Sequence, residues 1–256
     1  MPGTAVHKRD EAALPFRVLP EPDLSDLPVE QLERMHEAAA TVLQCSNDLA
    51  EAGKSIVGEV LRGQGDFLTW KRYPDGDVFD EPNHSQYFYH AHEPGEMIDG
   101  ENGHFHLFMR PFAIAPELRP VPLPGGSDGK DPADRFVHIG AISVDAFSRP
   151  LRLFTTNVWV TSETLFAAQD IIPLLDRFAI EVAHPDPLVN RWITAMVAFY
   201  RPQFEGLLRL RDEVLAEWAA RRPLGEVIED RRLQNASEIG VDIARQIGRI
   251  ESLLGI

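Results

Sequence analysis

One cysteine, Cys45, stands in a chain of 256 residues. No intrachain disulfide can form, and such sparse thiol usage fits a reducing compartment. Positive charge is also scarce: 25 Lys and Arg face 40 Asp and Glu, a net charge of −15. A general affinity for nucleic acid or for an anionic membrane needs basic surface, so neither partner is expected, although a local Arg or Lys can still hold a small anion. No apolar run is long enough to span a bilayer. The opening MPGTAVHKRDEAALPF has no apolar stretch of the kind a secretory signal needs. The P-loop, G-x-G-x-x-G, G-x-S-x-G and C-x-x-C patterns are missing too. What remains is the expectation of a cytoplasmic protein that meets a small-molecule substrate.

The chain is long enough for a sizeable core, and its 44% hydrophobic share is ordinary for a globular protein. Residues 1–27, rich in Pro and charge, read as an extended arm. Residues 28–256 read as one α+β domain: helical over 28–64, a sheet over 65–161, helical again over 162–256. In the first helix Ser25 or Asp26 is the expected cap, with Pro28 near the first position. Leu32, Met35, Ala39, Val42 and Leu49 supply its apolar stripe. The middle segments DFLTWKRYP, SQYFYHAH, GHFHLFMRPF, DRFVHIGAISVD and PLRLFTTNVWVT are aromatic and β-branched, bounded by turn residues, and read as strands of a mostly antiparallel sheet. The Asp75, Gly76, Asp77 run reads as a tight turn. Ala115 to Asp134 is a long Pro/Gly loop, a candidate lid. Beyond Ser162 three helical stretches follow: residues 163–183, residues 186–222 with a break at Pro202, and residues 225–254 with Ile239, Ile243, Ile247 and Ile250 on one face. These C-terminal helices offer a homodimer surface.

The most unusual stretch is SQYFYHAHEPGEMIDGENGHFHLFMR, which carries two H-x-H pairs, His90 with His92 and His104 with His106. Side chains two apart on a strand share a face. An antiparallel hairpin pairing 92 with 104 and 90 with 106 gathers all four rings, with Cβ atoms about 5 Å apart across the ladder. The opposite face then carries Tyr87, Tyr89, Ala91, Phe105, Leu107 and Met109, a packing surface. A slip of one residue would split the pairs between faces. Glu93, Glu96, Asp99 and Glu101 sit in the connecting loop. Two or three His with a carboxylate is the ligand set of mononuclear Fe(II), Mn(II) and catalytic Zn(II) sites. His138 can approach from a neighbouring strand, with Thr155 and Asn157 as polar wall residues and Lys71, Arg72 and Arg110 as anchors for an anionic substrate.

The segment HAHEPGE resembles the first cupin motif, H-x-H-x3-E, through His90, His92 and Glu96, with Gly103 at its trailing glycine. That resemblance implies a metal held by these three residues and one later His. His84 stands where the motif opens with glycine. Two H-x-H pairs are also similar to the paired H-x-T motifs of 2H phosphoesterases, which implies metal-free acid–base chemistry; His92 and His106 stand where that family has Thr. Together YPDGDVFD, SQYFYHAH and GHFHLFMR resemble an uncharacterised bacterial family, a domain of unknown function.

Three readings follow. In the first, a divalent metal, Fe(II) before Zn(II) or Mn(II), is held by His90, His92, His104, His106 and Glu96, with Glu101, Tyr89, Arg110 and His138 as catalytic candidates in an oxygenase, lyase or hydrolase acting on a small organic molecule. In the second, the histidines bind a ligand without chemistry or form a buried polar network. In the third, paired histidines work as acid and base without metal.

Overall fold

A computed structural model describes residues 16–93, 95–123, 131 and 134–256. Most of the expected N-terminal arm and much of the Pro/Gly loop lie outside the described residues. The rest is a seven-stranded sheet in the order β1-β7-β6-β5-β4-β3-β2, antiparallel except where β1 meets β7. The strands are β1 (Arg17–Val18), β2 (Tyr73–Asp80), β3 (Ser85–His90), β4 (Gly103–Met109), β5 (Val137–Val144), β6 (Pro150–Thr156) and β7 (Asn235–Gly240). The α+β class therefore stands. No helix of the described residues is long and apolar enough to cross a membrane.

Two helices cover one face of the sheet. α6 (Pro187–Phe199) opens with Asp186 accepting a hydrogen bond from the Leu188 amide, 2.8 Å, and with Pro187 in its first turn, where a missing N–H costs nothing. It meets the sheet through Trp192 on Phe105 and through Tyr87, whose hydroxyl donates to Asn190 Oδ1 at 2.6 Å. α7 (Arg201–Ala219) follows at once, and the expected break falls between the two helices with Pro202 in the first turn of the second. α1 (Val29–Glu51) packs on α6, using the Leu32, Met35, Ala39, Val42 and Leu49 stripe. Pro28 itself takes its capping position, with no side-chain cap. α9 (Ile243–Leu254) packs on α1, and α2 (Ile56–Leu61), α3 (Pro111–Ile114) and α8 (Leu224–Val227) are short. The main core lies between the sheet and these helices.

The other face of the sheet is covered too, since every residue of β4 and β5 is buried. Here the cover is irregular chain and short helical turns, among them α4 (Val158–Thr161). Both faces of the central strands are thus sealed, and polar side chains placed on the second face must find partners inside.

Several elements differ from the sequence reading. The YPDGDVFD segment is strand β2, bulged between Tyr73 and Val78, rather than a turn after a strand at 66–74. The strand expected over 150–161 stops at Thr156, and the chain turns into α4. Residues 163–183 hold only α5 (Ala168–Ile171) and a 3-10 turn at Ile172–Arg177. β7 lies inside the stretch expected to be helical, and β1 draws the end of the arm into the sheet.

Candidate metal centre

β3 and β4 pair with His90 opposite His104 and Phe88 opposite His106. This is two residues away from the expected register. An even shift leaves every side chain on its expected face, so the histidines still share the sheet face opposite α6. Gly103 fits this register: it has φ +155°, and a Cβ there would lie 2.3 Å from the Tyr89 hydroxyl. His92 falls beyond the ladder. Its ring stacks on Trp70 at 4.0 Å and lies 5.0 Å from the His104 ring.

His138 reaches the same face through a bulge. Leu107 pairs with Gly140, but Phe108 pairs with His138, so Ile139 is the extra residue of β5. Without it, strand alternation would turn His138 towards the helices. Gly140 permits the bend: it has φ +147°, and a Cβ would meet Phe204 of α7 at 2.8 Å. Arg152 and Phe154 of β6 pair with Ser143 and Ala141 and complete this face.

Three ring nitrogens converge. His90 Nε2 lies 2.8 Å from His104 Nε2 and 3.2 Å from His106 Nε2. One ligand atom from each of these residues falls within 4.8 Å of the others, a grouping that can hold a metal ion. An ion about 2.1 Å from two imidazole nitrogens holds them about 3.0–3.4 Å apart, which brackets the second of these spacings closely. The far sides of two rings are occupied. Glu101 Oε1 lies 2.6 Å from His104 Nδ1, and a carboxylate only accepts, so Nδ1 carries a proton and the neutral tautomer this selects presents a bare Nε2. His106 Nδ1 lies 3.0 Å from His138 Nε2, and His138 Nδ1 lies 3.3 Å from Thr156 Oγ1.

Four of the rings, those of His90, His92, His106 and His138, are held below the usual imidazole pKa. Burial, then the neighbouring rings, pushes His90 down to about 2. Burial and the Arg211 guanidinium push His138 to about 3. His92 falls to about 4, and the fully enclosed His106 lies well below the usual imidazole value, both through burial first. Glu101 moves the other way for a carboxylate in the interior. Burial opposes its charge, but the hydrogen bond with His104 and the Arg152 guanidinium outweigh it and hold its pKa below the usual value. Arg152 bridges Glu101 (3.2 Å) and Glu238 of β7.

The gathering of His90, His104 and His106, with Glu101 and His138 beside them, uses five of the nine expected site residues. Glu96 is exposed in its loop and accepts a hydrogen bond from the Glu93 amide; it lines the cavity beside His104 and His106 but lies outside the histidine grouping. Tyr89 belongs to the helix face, its hydroxyl exchanging hydrogen bonds with Asn102, because odd positions of β3 point there. Arg110 lies past Phe108, over the Phe79 ring and bonded to Gln86, at the wall of a separate cleft of about 980 Å³. Thr155 also faces the helices, against Ser237, and Asn157 bonds to the Val227 carbonyl, so Thr156 is the wall residue instead. Lys71 and Arg72 pair with Asp75 and Asp77, and Asp80 accepts backbone N–H groups, so the acidic run is structural. Arg152, Thr156 and Trp70 escaped the sequence reading. The alternation of Arg152, Phe154 and Thr156 in PLRLFTT was the available signal for the first two.

A cavity of about 70 Å³ opens beside His104 and His106, bounded also by His92, Arg152, Thr156 and Val160. No curated protein and no solved structure is matched by the chain. A family model, Domain of unknown function (DUF6969), matches residues 36–241, a span that contains both H-x-H pairs, and the chain belongs to that family.

Proposed function

We propose that the chain is a metal-dependent enzyme, with one divalent ion held by Nε2 of His90, His104 and His106 and an open coordination position towards the 70 Å³ cavity. The observation that carries this is the convergence of three buried imidazole nitrogens, two of them with their opposite nitrogens already bonded to partners. Partners of this kind fix the tautomer and orientation of metal-ligating rings. The ligand set expected for Fe(II), Mn(II) or Zn(II) included a carboxylate. Here Glu101 is engaged by His104 Nδ1 and Arg152, and Glu96, though it lines the cavity, lies outside the grouping of His90, His104 and His106. An all-imidazole trio with an open position is the ligand set of catalytic zinc, so Zn(II) comes first, with Fe(II) and Mn(II) behind it.

Such an ion supplies a water nucleophile near neutral pH or polarises a carbonyl. The chain's own residues do the rest. Glu101 steadies His104, His138 steadies His106, and Phe88, Phe108 and Phe154 wall off bulk water. Hydrolysis or a lyase-type addition on a small organic molecule fits this arrangement. Metal-free acid–base chemistry by the paired rings fits less well, because a base held near 2 is far from the pKa that proton transfer at neutral pH rewards.

The test is elemental analysis of untagged protein, as purified and after loading with Zn(II), Fe(II) and Mn(II). One equivalent per chain is expected, lost in His104→Ala and His106→Ala proteins that keep the native circular dichroism. Absence of bound metal after all three loadings refutes the reading.

A further inference from the structure

With Nε2 of His106 turned to an ion, its proton sits on Nδ1 and is donated to His138 Nε2, 3.0 Å away. His138 must then carry its own proton on Nδ1, which it donates to Thr156 Oγ1 at 3.3 Å. The Thr156 oxygen is therefore an acceptor on the side of His138, and its one hydroxyl hydrogen is left for another partner. Thr156 is also a wall of the cavity beside His104 and His106. Metal ligation at one end of this chain of bonds thus sets a hydrogen-bond donor at the other end, inside the site.

The cavity limits what can accept that hydrogen bond. Its volume of about 70 Å³ is room for about two waters, far below the several hundred Å³ of a pocket for an ordinary metabolite. Met97, Phe154 and Val160 give it apolar walls, Gln234 and Asn235 bring amide groups, and the carboxylates of Glu96 and Glu101 also line it, so that an anion depends on the ion and Arg152 to offset their charge. Arg152 adds positive charge from the flank with two guanidinium nitrogens already held by Glu101 and Glu238.

We infer that the site takes a small oxyanion or carbonyl compound of about three to five non-hydrogen atoms, bound by one oxygen at the ion and hydrogen-bonded by the Thr156 hydroxyl. This rests on the metal reading above, and it makes Thr156 the residue that selects an oxygen acceptor and Val160 the residue that limits size.

The experiment uses the full chain loaded with Co(II), whose visible spectrum reports its coordination. Uptake of one cobalt is measured first, so a failure of the metal reading appears before any anion is added, and it overturns both. Formate, propionate and benzoate are then titrated into wild type, Thr156→Val, Thr156→Ser and Val160→Ala. Formate is expected to bind saturably, propionate more weakly, and benzoate to leave the spectrum unchanged. Thr156→Val should weaken formate about tenfold, the loss of one hydrogen bond, and Thr156→Ser should restore it. Val160→Ala should strengthen propionate relative to formate. Cobalt-loaded Thr156→Val that binds formate as wild type does, or benzoate that binds as well as formate, overturns the inference.

Discussion

Glu101→Gln is the most informative single change. The Glu101 side chain is fully shielded from solvent, with Oε1 2.6 Å from His104 Nδ1 and Oε2 3.2 Å from Arg152. Gln keeps the shape and one acceptor for His104, but it removes the negative charge and turns an amide N–H₂ towards a guanidinium. Hydrogen bonds to a charged group contribute about 1.5–3 kcal/mol against about 1 for neutral ones, so the metal-free protein should lose about 1–2 kcal/mol. Disturbing the partner of a metal-ligating His typically weakens the metal 10–100-fold, about 1.4–2.8 kcal/mol. At a zinc concentration 100 times the wild-type Kd, binding stabilises wild type by about 2.7 kcal/mol and the variant by only about 0.4–1.4 kcal/mol. For a chain of this size that is a zinc-induced rise in Tm of about 5–11 °C in wild type and about 1–6 °C in the variant. Competition against a chromophoric chelator gives Kd, and melting with and without zinc gives the linkage. An unchanged Kd with an unchanged melting rise would refute the reasoning, leaving His104 oriented by packing on Phe154 alone.

Other outcomes are expected from the same geometry. His92→Ala should keep one equivalent of metal where His90→Ala loses it, because His92 stands beyond the ladder against Trp70; elemental analysis of the two variants decides. Gly140→Ala should cost about 2–4 kcal/mol in urea denaturation and weaken metal binding as well, because the added Cβ meets Phe204 at 2.8 Å at the bulge that places His138. Tyr87→Phe should cost about 1–2 kcal/mol because Asn190 Oδ1 loses its donor, while metal affinity stays unchanged, since that bond lies on the helix face. Asp80 is held below the usual carboxylate pKa: burial opposes its charge, but the amides of Glu181 and Asn83 outweigh it. A depressed folded pKa gives stability that is present above the unfolded value, about 4, and lost as pH falls through the folded one. Asp80→Asn should therefore lower Tm at neutral pH and flatten its decline in acid, and parallel melting curves for variant and wild type down to pH 3 would contradict this.

The α+β class was legible because the chain changes composition twice, from helical stripe to aromatic and β-branched runs and back. Its errors have local physical causes. Ile239, Ile243, Ile247 and Ile250 share one helical spacing, but Asp242 caps the helix through the Arg245 amide at 2.8 Å, so Ile239 is left in β7. Four apolar residues at intervals of three or four cannot by themselves say where a helix starts. The Asp-Gly-Asp run suggested a turn because those residues favour positive φ, and Gly76 and Asp77 do adopt it, at 86° and 59°. The strand absorbs them as a bulge, opposite a partner strand whose pairing jumps from Tyr89 to Tyr87. Residues 163–183 were apolar without a clear period, and Pro173 lies in their middle, where the chain forms only short turns.

For the site, what survived was parity and what failed was everything that needed absolute position. The H-x-H spacing fixes that two rings share a face, and the apolar odd positions fix which face meets the helices. Both hold for any even register, so the shift from 92/104 to 90/104 cost only the membership of His92. Tyr89 fails by the same rule, since an odd neighbour of His90 cannot stand beside it. His138 is the reverse case. Simple alternation from His106 through its partner Ala141 puts residue 138 on the helix side, and only the extra residue at Ile139 returns it to His106. A bulge leaves almost no trace in a single sequence beyond a glycine in a strand, here Gly140 in FVHIGAI. The position of that glycine, two residues after a histidine and against Phe204, joins the packing of α7 on the sheet to the orientation of His106. A substitution on α7 that moves Phe204 should then reach the metal without touching any ligand: Phe204→Leu is expected to lower metal affinity several-fold, an effect on the order of 0.5–1 kcal/mol, read by chelator competition. Phe204→Leu protein with a lowered Tm and wild-type affinity would show instead that the bulge holds itself.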